Sequence, residues 1–317
     1  MDSVRVLIAG DAEGPVLFSD LGLSFWGGVD PLTGRVMDSH HPLCGKSVVG
    51  SIMTIPNGRG SCSGSCAMLE LVLNSCAPAA FIFEQREDIL PLGIIIAEEI
   101  FGKKALPVLR VPSKIFGRLQ QAERVRIEQG KLIAIDQSKN ETILSETFVS
   151  PALSLQLSER DQSLLTGGEG AGRQLAMRIV VRMAGLLEAE ALIDVHKAHM
   201  DGVIYVGPGG LAFAEKMVEL GARMFVPTTL NSISVDRQRW RYLGVDPAFG
   251  ERADRLAQAY VNMGAQGSFT CAPYLLDDPP RFGEQIVWAE SNAVAYANSV
   301  IGARTLKYPG EMNPTCQ

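Results

Sequence analysis

Alternation of apolar and polar stretches gives the first part of the chain a strand–helix rhythm. Val6-Leu7-Ile8 opens as a strand, and Val48 to Ile55 reads as another before the loop Pro56-Asn57-Gly58-Arg59-Gly60-Ser61-Cys62-Ser63-Gly64. Behind that loop Ala67, Met68, Leu71 and Val72 recur at helical spacing. Ala80 to Phe83 is a short apolar strand, Leu92 to Phe101 a buried helix stopped by Gly102, and Leu106 to Val111 a further strand. Val125, Ile127, Leu132 and Ile135, divided by Gln129-Gly130, predict a hairpin. The pattern is that of a β-rich α/β domain.

From Asn140 to Leu157 the chain turns polar, rich in Ser and Thr, and contains Pro151. That composition marks a boundary, with one domain at 1–148 and a second at 149–317. Ser158-Glu159-Arg160-Asp161 has the composition of a helix start, and a helix is expected from about Arg173 to Glu188 with Leu175, Ile179, Met183 and Leu186 on one face. Strand-like Ala191 to Val195, strand-like Val203 to Val206, helical Leu211 to Leu220 and strand-like Arg223 to Val226 follow. Alternation of this kind predicts a parallel α/β layer. There is no internal repeat and no low-complexity tract.

Composition agrees with two domains, since 317 residues exceed what one ordinary core serves. Hydrophobic residues at 46% and charged residues at 20% are ordinary for a globular chain, which excludes the disordered class. A formal charge of -6 leaves no basic field for a phosphate backbone, so nucleic acid is not an expected partner. The longest apolar run, Ile94 to Ala97, is cut by Pro91, Gly93, Glu98 and Glu99, far short of the ~20 residues of a membrane span. No membrane partner is expected. The N-terminus lacks the basic start and apolar stretch of a signal peptide, which makes the cytoplasm the expected location. Six scattered cysteines, Cys44, Cys62, Cys66, Cys76, Cys271 and Cys316, do not have disulfide-scaffold density and are expected as thiols, some of them able to bind metal.

Gly207-Pro208-Gly209-Gly210 before a helix imitates a dinucleotide fingerprint, but no acid follows about 20 residues on, where the chain reads Phe225-Val226-Pro227-Thr228-Thr229. A tight strand-to-helix turn accounts for it. The Gly58 to Ser65 loop admits two readings. Its glycines and the following helix start can stabilise the alkoxide form of a serine, with Arg59 as countercharge, or the loop is a serine-capped helix after a flexible turn. Cys271, in Phe269-Thr270-Cys271-Ala272-Pro273-Tyr274, says little alone, and no CxxC pair exists. Asp38, His40 and His41 can in principle bind metal, although a turn before Pro42 explains them as well.

Several longer motifs resemble one family together. Ser24-Phe25-Trp26-Gly27-Gly28-Val29-Asp30-Pro31, His41-Pro42-Leu43 and the Gly58 to Ser65 loop resemble the small, swivel part of aconitase X. Ala198-His199-Met200-Asp201-Gly202, Val226-Pro227-Thr228-Thr229-Leu230-Asn231, Thr270 to Tyr274 and Trp288-Ala289-Glu290-Ser291-Asn292-Ala293-Val294 resemble the opening of its large part. The resemblance implies an α/β chain: an aconitase-like swivel β/α domain followed by part of an aconitase-like α/β cluster domain.

It further implies a hydro-lyase that acts on a small molecule with an iron–sulfur cluster held by three cysteines. Cys271 matches the first of these ligands. The others are expected beyond Gln317, in a missing C-terminal portion of the large part, so the chain reads as truncated and Cys316 as falling too early to match. Ser61 matches the proton-abstracting serine. Gly202, Val203, Asn231, Glu290 and Ser291 match substrate-contacting positions, and Arg59, Ser63 and Ser65 join them as candidates from the loop. Ile204 departs from the pattern, because it cannot offer the side-chain hydrogen bond of a serine to a phosphate-type substrate. Fusion of the two parts favours cis-3-hydroxy-L-proline as substrate, with Δ1-pyrroline-2-carboxylate as product. The alternatives are a 5-phosphomevalonate dehydratase and a non-catalytic fragment.

Overall fold

Two strands buried along their whole length organise the first half of the protein. The computed structural model describes residues 3–150 and 155–309, and in it Ile52–Ile55 and Ala80–Phe83 are buried at every position. Strands apolar on both faces pair in parallel beneath helices on either side. The chain divides into two units by its internal packing, one of Met1–Gly60, Ala67–Ser154 and Gly185–Ala189, the other of Ser61–Cys66, Leu155–Ala184 and Glu190–Gln317.

In the first unit the elements are β1 (Val4–Ile8), β2 (Ala12–Phe18), β3 (Leu23–Ser24), β4 (Ile52–Ile55), β5 (Gly58–Arg59), α1 (Gly64–Leu73), β6 (Ala80–Phe83), α2 (Leu90–Phe101), β7 (Val108–Arg110), α3 (Ser113–Leu119), β8 (Arg124–Glu128), β9 (Lys131–Ile135), β10 (Glu141–Ser145) and β11 (Phe148–Val149). Nine strands form one mixed sheet in the order β10-β9-β8-β2-β4-β6-β7-β1-β11, parallel at its centre from β2 to β7. Its core gathers Ile52, Ile82, Leu109, Phe116, Val125 and Leu132. The expected hairpin is β8–β9, with Gln129 and Gly130 both at positive φ, as a tight hairpin turn requires. The expected strand from Val48 is shorter: Gly50 at φ +65 turns the chain, and β4 begins only at Ile52. The polar stretch read as a boundary holds β10 and β11, both joined to this sheet. Glu188 pairs here with Arg5 and Arg110.

The loop that leads to Ser61 is held by Glu87. This carboxylate is 5% exposed and accepts from the N–H groups of Gly58 (2.6 Å), Ile89 (2.8 Å) and Leu90 (3.0 Å), the last two at the start of α2. Burial pushes the carboxyl up while the three N–H donors pull it down. At Gly60, φ is +97, and an added Cβ would stand 2.6 Å from Ser24 Oγ.

The second unit contains α4 (Glu159–Leu165), α5 (Ala171–Leu186), β12 (Lys197–Met200), α6 (Pro208–Glu219), β13 (Thr228–Leu230), α7 (Pro247–Asn262), β14 (Ile286–Trp288) and α8 (Ser291–Tyr296). Ser158 caps α4 in a reciprocal box with Asp161, as the composition indicated. Leu175, Ile179, Met183 and Leu186 of α5 are all buried. β13, β12 and β14 make a three-stranded parallel sheet. Its strands are not where apolar runs suggested. Of Ala191 to Val195 only Ala191 pairs, through an isolated bridge to Gln156, and Val203 to Val206 is irregular and forms no strand. Arg223 to Val226 is irregular, its Phe225 exposed beneath the Arg173 guanidinium at 3.6 Å. The real strands carry polar residues inward, which a search for apolar runs passes over. α7, which the apolar pattern does not mark, is capped by Asp246, whose carboxylate accepts from Phe249 N–H at 2.9 Å.

Candidate active site

Parallel strands in register deliver their next residues side by side. Met200 faces Leu230 across β12 and β13, and His199 faces both Thr229 and Trp288. One step beyond the strand ends come Asp201 and Asn231, and two beyond β14 comes Glu290. The carboxyl edge of a parallel sheet is where α/β proteins place their ligands. Here it gathers two carboxylates around one amide. Asn231 Nδ2 donates to Asp201 Oδ1 and, at 2.8 Å, to Glu290 Oε2, while Asn231 Oδ1 has no donor among the described residues.

The segment Ser61–Cys66 packs into this same unit. Ser63 Oγ donates to Asp201 Oδ2 at 2.8 Å, and Ser61 Oγ donates to Ser63 Oγ at 3.2 Å. Ser61 Oγ also accepts from the backbone N–H of Ser63, at 3.2 Å, beside the first residue of α1. Ser61 is partly open to solvent, whereas Ser63 and Asp201 are closed off at 0% and 1% exposure. Burial pushes the Asp201 carboxyl up, against the two hydrogen bonds that favour its charge. Cys62 donates to the Ala289 carbonyl, and burial, then the nearby Asp201 charge, pushes its thiol up to about 12. A hydrogen bond from Ser291 reaches the same sulfur.

The structure thus brings together Ser61, Ser63, Asn231, Glu290 and Ser291 of the residues singled out from sequence. Gly202 and Val203 follow Asp201 directly and are buried. Ser65 is buried and gives its hydroxyl to the Cys62 carbonyl at 2.9 Å. Arg59 lies in the first unit, paired with Asp38 at 3.0 Å. His41 there is held by the Leu43 N–H and the Leu21 carbonyl, the turn that its sequence context suggested. Asp201 was passed over as a site residue. Its signal in the sequence is its place within Ala198-His199-Met200-Asp201-Gly202, directly before the Gly202-Val203 pair.

Cys271 is exposed, its Sγ 2.9 Å from Ser232 Oγ, and its carbonyl accepts from Asn292 Nδ2 at 2.9 Å. It is open to a metal. Cys62 and Cys66 are buried, Cys76 donates to the Leu32 carbonyl, and Cys316 lies outside the described residues. Among the described residues no three His, Cys, Asp or Glu side chains gather to hold a metal ion. The described residues therefore do not by themselves hold a three-cysteine cluster around Cys271. A cavity of about 520 Å³ borders Ser232, with Arg237 and Phe269 in its wall, within the size range of small-molecule sites. No helix among the described residues is long and apolar enough to cross a membrane.

A β-rich α/β unit followed by a unit with a parallel sheet is the arrangement the motifs led us to expect. The family model for the aconitase X swivel domain matches residues 2–135, and that for the aconitase X first domain matches residues 154–316. The chain belongs to the aconitase X family. It is 51% identical over 316 residues to a cis-3-hydroxy-L-proline dehydratase of Pseudomonas aeruginosa, covering 98% of this chain and 54% of that protein. A cis-3-hydroxy-L-proline dehydratase of Hypocrea jecorina is 48% identical over 307 residues, 95% of this chain and 51% of its own length. The phosphomevalonate dehydratase large subunit of Methanothermobacter thermautotrophicus is 37% identical over 156 residues, 49% of this chain and 39% of its own length. The chain spans about half the length of the curated dehydratases that it matches along nearly its whole extent.

Proposed function

We propose that the full-length protein is a hydro-lyase that dehydrates cis-3-hydroxy-L-proline to Δ1-pyrroline-2-carboxylate, with Ser61 as the base. The observation that carries this reading is the placement of Ser61 Oγ, partly open to solvent and accepting the Ser63 N–H at the start of α1. A backbone donor aimed at a serine oxygen stabilises charge that develops there. The identity of 51% along 98% of the chain supports the substrate, and Ile204, without a hydrogen-bonding side chain, speaks against a phosphate-bearing one.

In a cis-3-hydroxyproline the hydroxyl and the carboxylate share one ring face, and the α-hydrogen lies on the other. Ser61 takes the α-proton from that second face. Asn231 Oδ1, which lacks a donor among the described residues, accepts from the substrate ammonium or hydroxyl. Glu290, Ser291, Gly202 and Val203 complete the contact surface. Cys271 is the thiol of this chain that would ligate an iron–sulfur cluster, whose chemistry when bound is that of a Lewis acid for the departing hydroxyl. The enamine that results tautomerises to the imine.

Ser61→Ala in the full-length enzyme tests the reading. Turnover of cis-3-hydroxy-L-proline should fall by on the order of 100-fold or more, with folding and iron content kept. Turnover close to that of the parent would remove Ser61 from the role.

A further inference from the structure

A serine hydroxyl is a poor base unless its own proton has somewhere to go. We propose that Asp201 is the terminal proton acceptor for Ser61, reached through the hydroxyl of Ser63. This rests on the reading of Ser61 as the base and adds its missing half. The hydrogen bonds run in one direction: Ser61 Oγ donates to Ser63 Oγ at 3.2 Å, and Ser63 Oγ donates to Asp201 Oδ2 at 2.8 Å. The chain begins at a partly open hydroxyl and ends on a carboxylate 1% exposed. Asn231 Nδ2 binds the other oxygen, Oδ1, and so leaves the Ser63 bond to Oδ2 in place.

The proton count closes. The substrate Cα–H bond breaks, and its proton forms a new O–H bond on Ser61. The former Ser61 proton moves to Ser63 Oγ, and the former Ser63 proton moves to Asp201 Oδ2. The C–H electron pair becomes the new double bond as the hydroxyl leaves with its own pair, and the relay proton later joins that hydroxide as water. Asp201, 1% exposed and bonded to Ser63, is a positioning residue that acts through Ser63. Burial that pushes its carboxyl up suits it to receive a proton. The titratable groups that face it are Glu290, which pushes it further up, Lys307, which pulls it down, and the Cys62 thiol.

The test compares full-length enzymes carrying Asp201→Asn, Ser63→Ala and Ser61→Ala. Asp201→Asn keeps the side-chain shape and should lower kcat by on the order of 100-fold with KM unchanged, and Ser63→Ala should do the same. Solvent isotope dependence separates a relay from a packing role. In mixtures of light and heavy water the parent should give a bowed kcat profile, because several protons move together, and both relay variants should give a straight one. In the protein without substrate, the infrared carboxyl band absent from Asp201→Asn should titrate at higher pH in Ser63→Ala, since a bond that favours the carboxylate is gone. A silent Ser61→Ala beside a fully active Asp201→Asn, or a straight profile in the parent, would overturn the relay while leaving Ser61 as base. An active Ser61→Ala would overturn both.

Discussion

Glu87 in the first unit and Asp201 in the second are both buried carboxyls pushed up by burial, yet they are held differently. Glu87 is clamped by three peptide N–H groups, from Gly58, Ile89 and Leu90. Peptide hydrogens do not reverse or pass on. Asp201 is held by a hydroxyl and an amide side chain, and the hydroxyl can both give and take a proton. Backbone donors thus make a carboxylate a structural rivet, and side-chain donors make it a place where protons change hands. The same contrast applies to His199, near Asp201 in the second unit. Its Nδ1 is hydrogen-bonded to Thr229 Oγ1 at 2.8 Å, and its Nε2 has no partner among the described residues.

The largest effect should come from breaking the rivet. Glu87→Ala leaves three N–H groups facing an apolar gap, and at about 1 to 3 kcal/mol for each donor left unsatisfied, partly relieved by water, the loss should be about 4 kcal/mol. Urea denaturation measures it. Asp201→Asn should cost far less, because Ser63 can turn its hydroxyl to accept from the new amide. A Glu87→Ala variant no less stable than Asp201→Asn would erase the distinction.

Next in size is a pH dependence seated in the second unit. Burial lowers His199 from an ordinary 6.5 to about 4. The unfolded chain therefore binds a proton that the folded one refuses between those values, so this contribution to stability is full above 6.5 and is lost as pH falls towards 4. At about 1.4 kcal/mol per pH unit, the loss is about 3 kcal/mol. His199→Gln removes the group, so the stability of the parent relative to this variant should shrink by that amount between about pH 7 and pH 4. Parallel pH curves for the two proteins would mean that the imidazole is protonated where it lies.

The two units also differ in how far sequence discloses them. In the first, β4 and β6 are buried throughout and apolar but for Thr54, and α2 is buried from Leu90 to Ala97, so hydrophobic runs and elements coincide. In the second, Lys197–Met200 and Thr228–Leu230 are short parallel strands that also share the His199–Thr229 side-chain bond, while the apolar Met224-Phe225-Val226 beside them is not a strand. Composition cannot mark such strands, because the buried His199 finds its partner, Thr229, 30 residues away. The site shows the same division. Ser61, Asn231 and Glu290 stood out through whole motifs, but the bond from Ser63 to Asp201 spans 138 residues and leaves no local trace. Glu87, 29 residues from the Gly58 N–H it holds, was invisible for the same reason.

The smallest of these effects tests whether the approach to Ser61 is fixed by backbone shape, as the Glu87 clamp suggests. Gly60 adopts φ +97, a conformation that L side chains rarely take. An alanine there brings a second penalty, since its Cβ would stand 2.6 Å from Ser24 Oγ and 3.3 Å from Ser24 Cβ. Ser24 Oγ is not free to swing aside without a loss, because it donates to the Trp26 carbonyl at 2.8 Å. Strain of this kind is worth about 1 to 3 kcal/mol, so Gly60→Ala should lose about 2 kcal/mol in urea denaturation. The two penalties can be separated. Adding Ser24→Ala removes the Oγ contact but not the strained φ, so the double variant should recover about half of the loss, measured against Ser24→Ala alone. Full recovery would assign the whole effect to the Ser24 contact, and no recovery would assign it to the backbone.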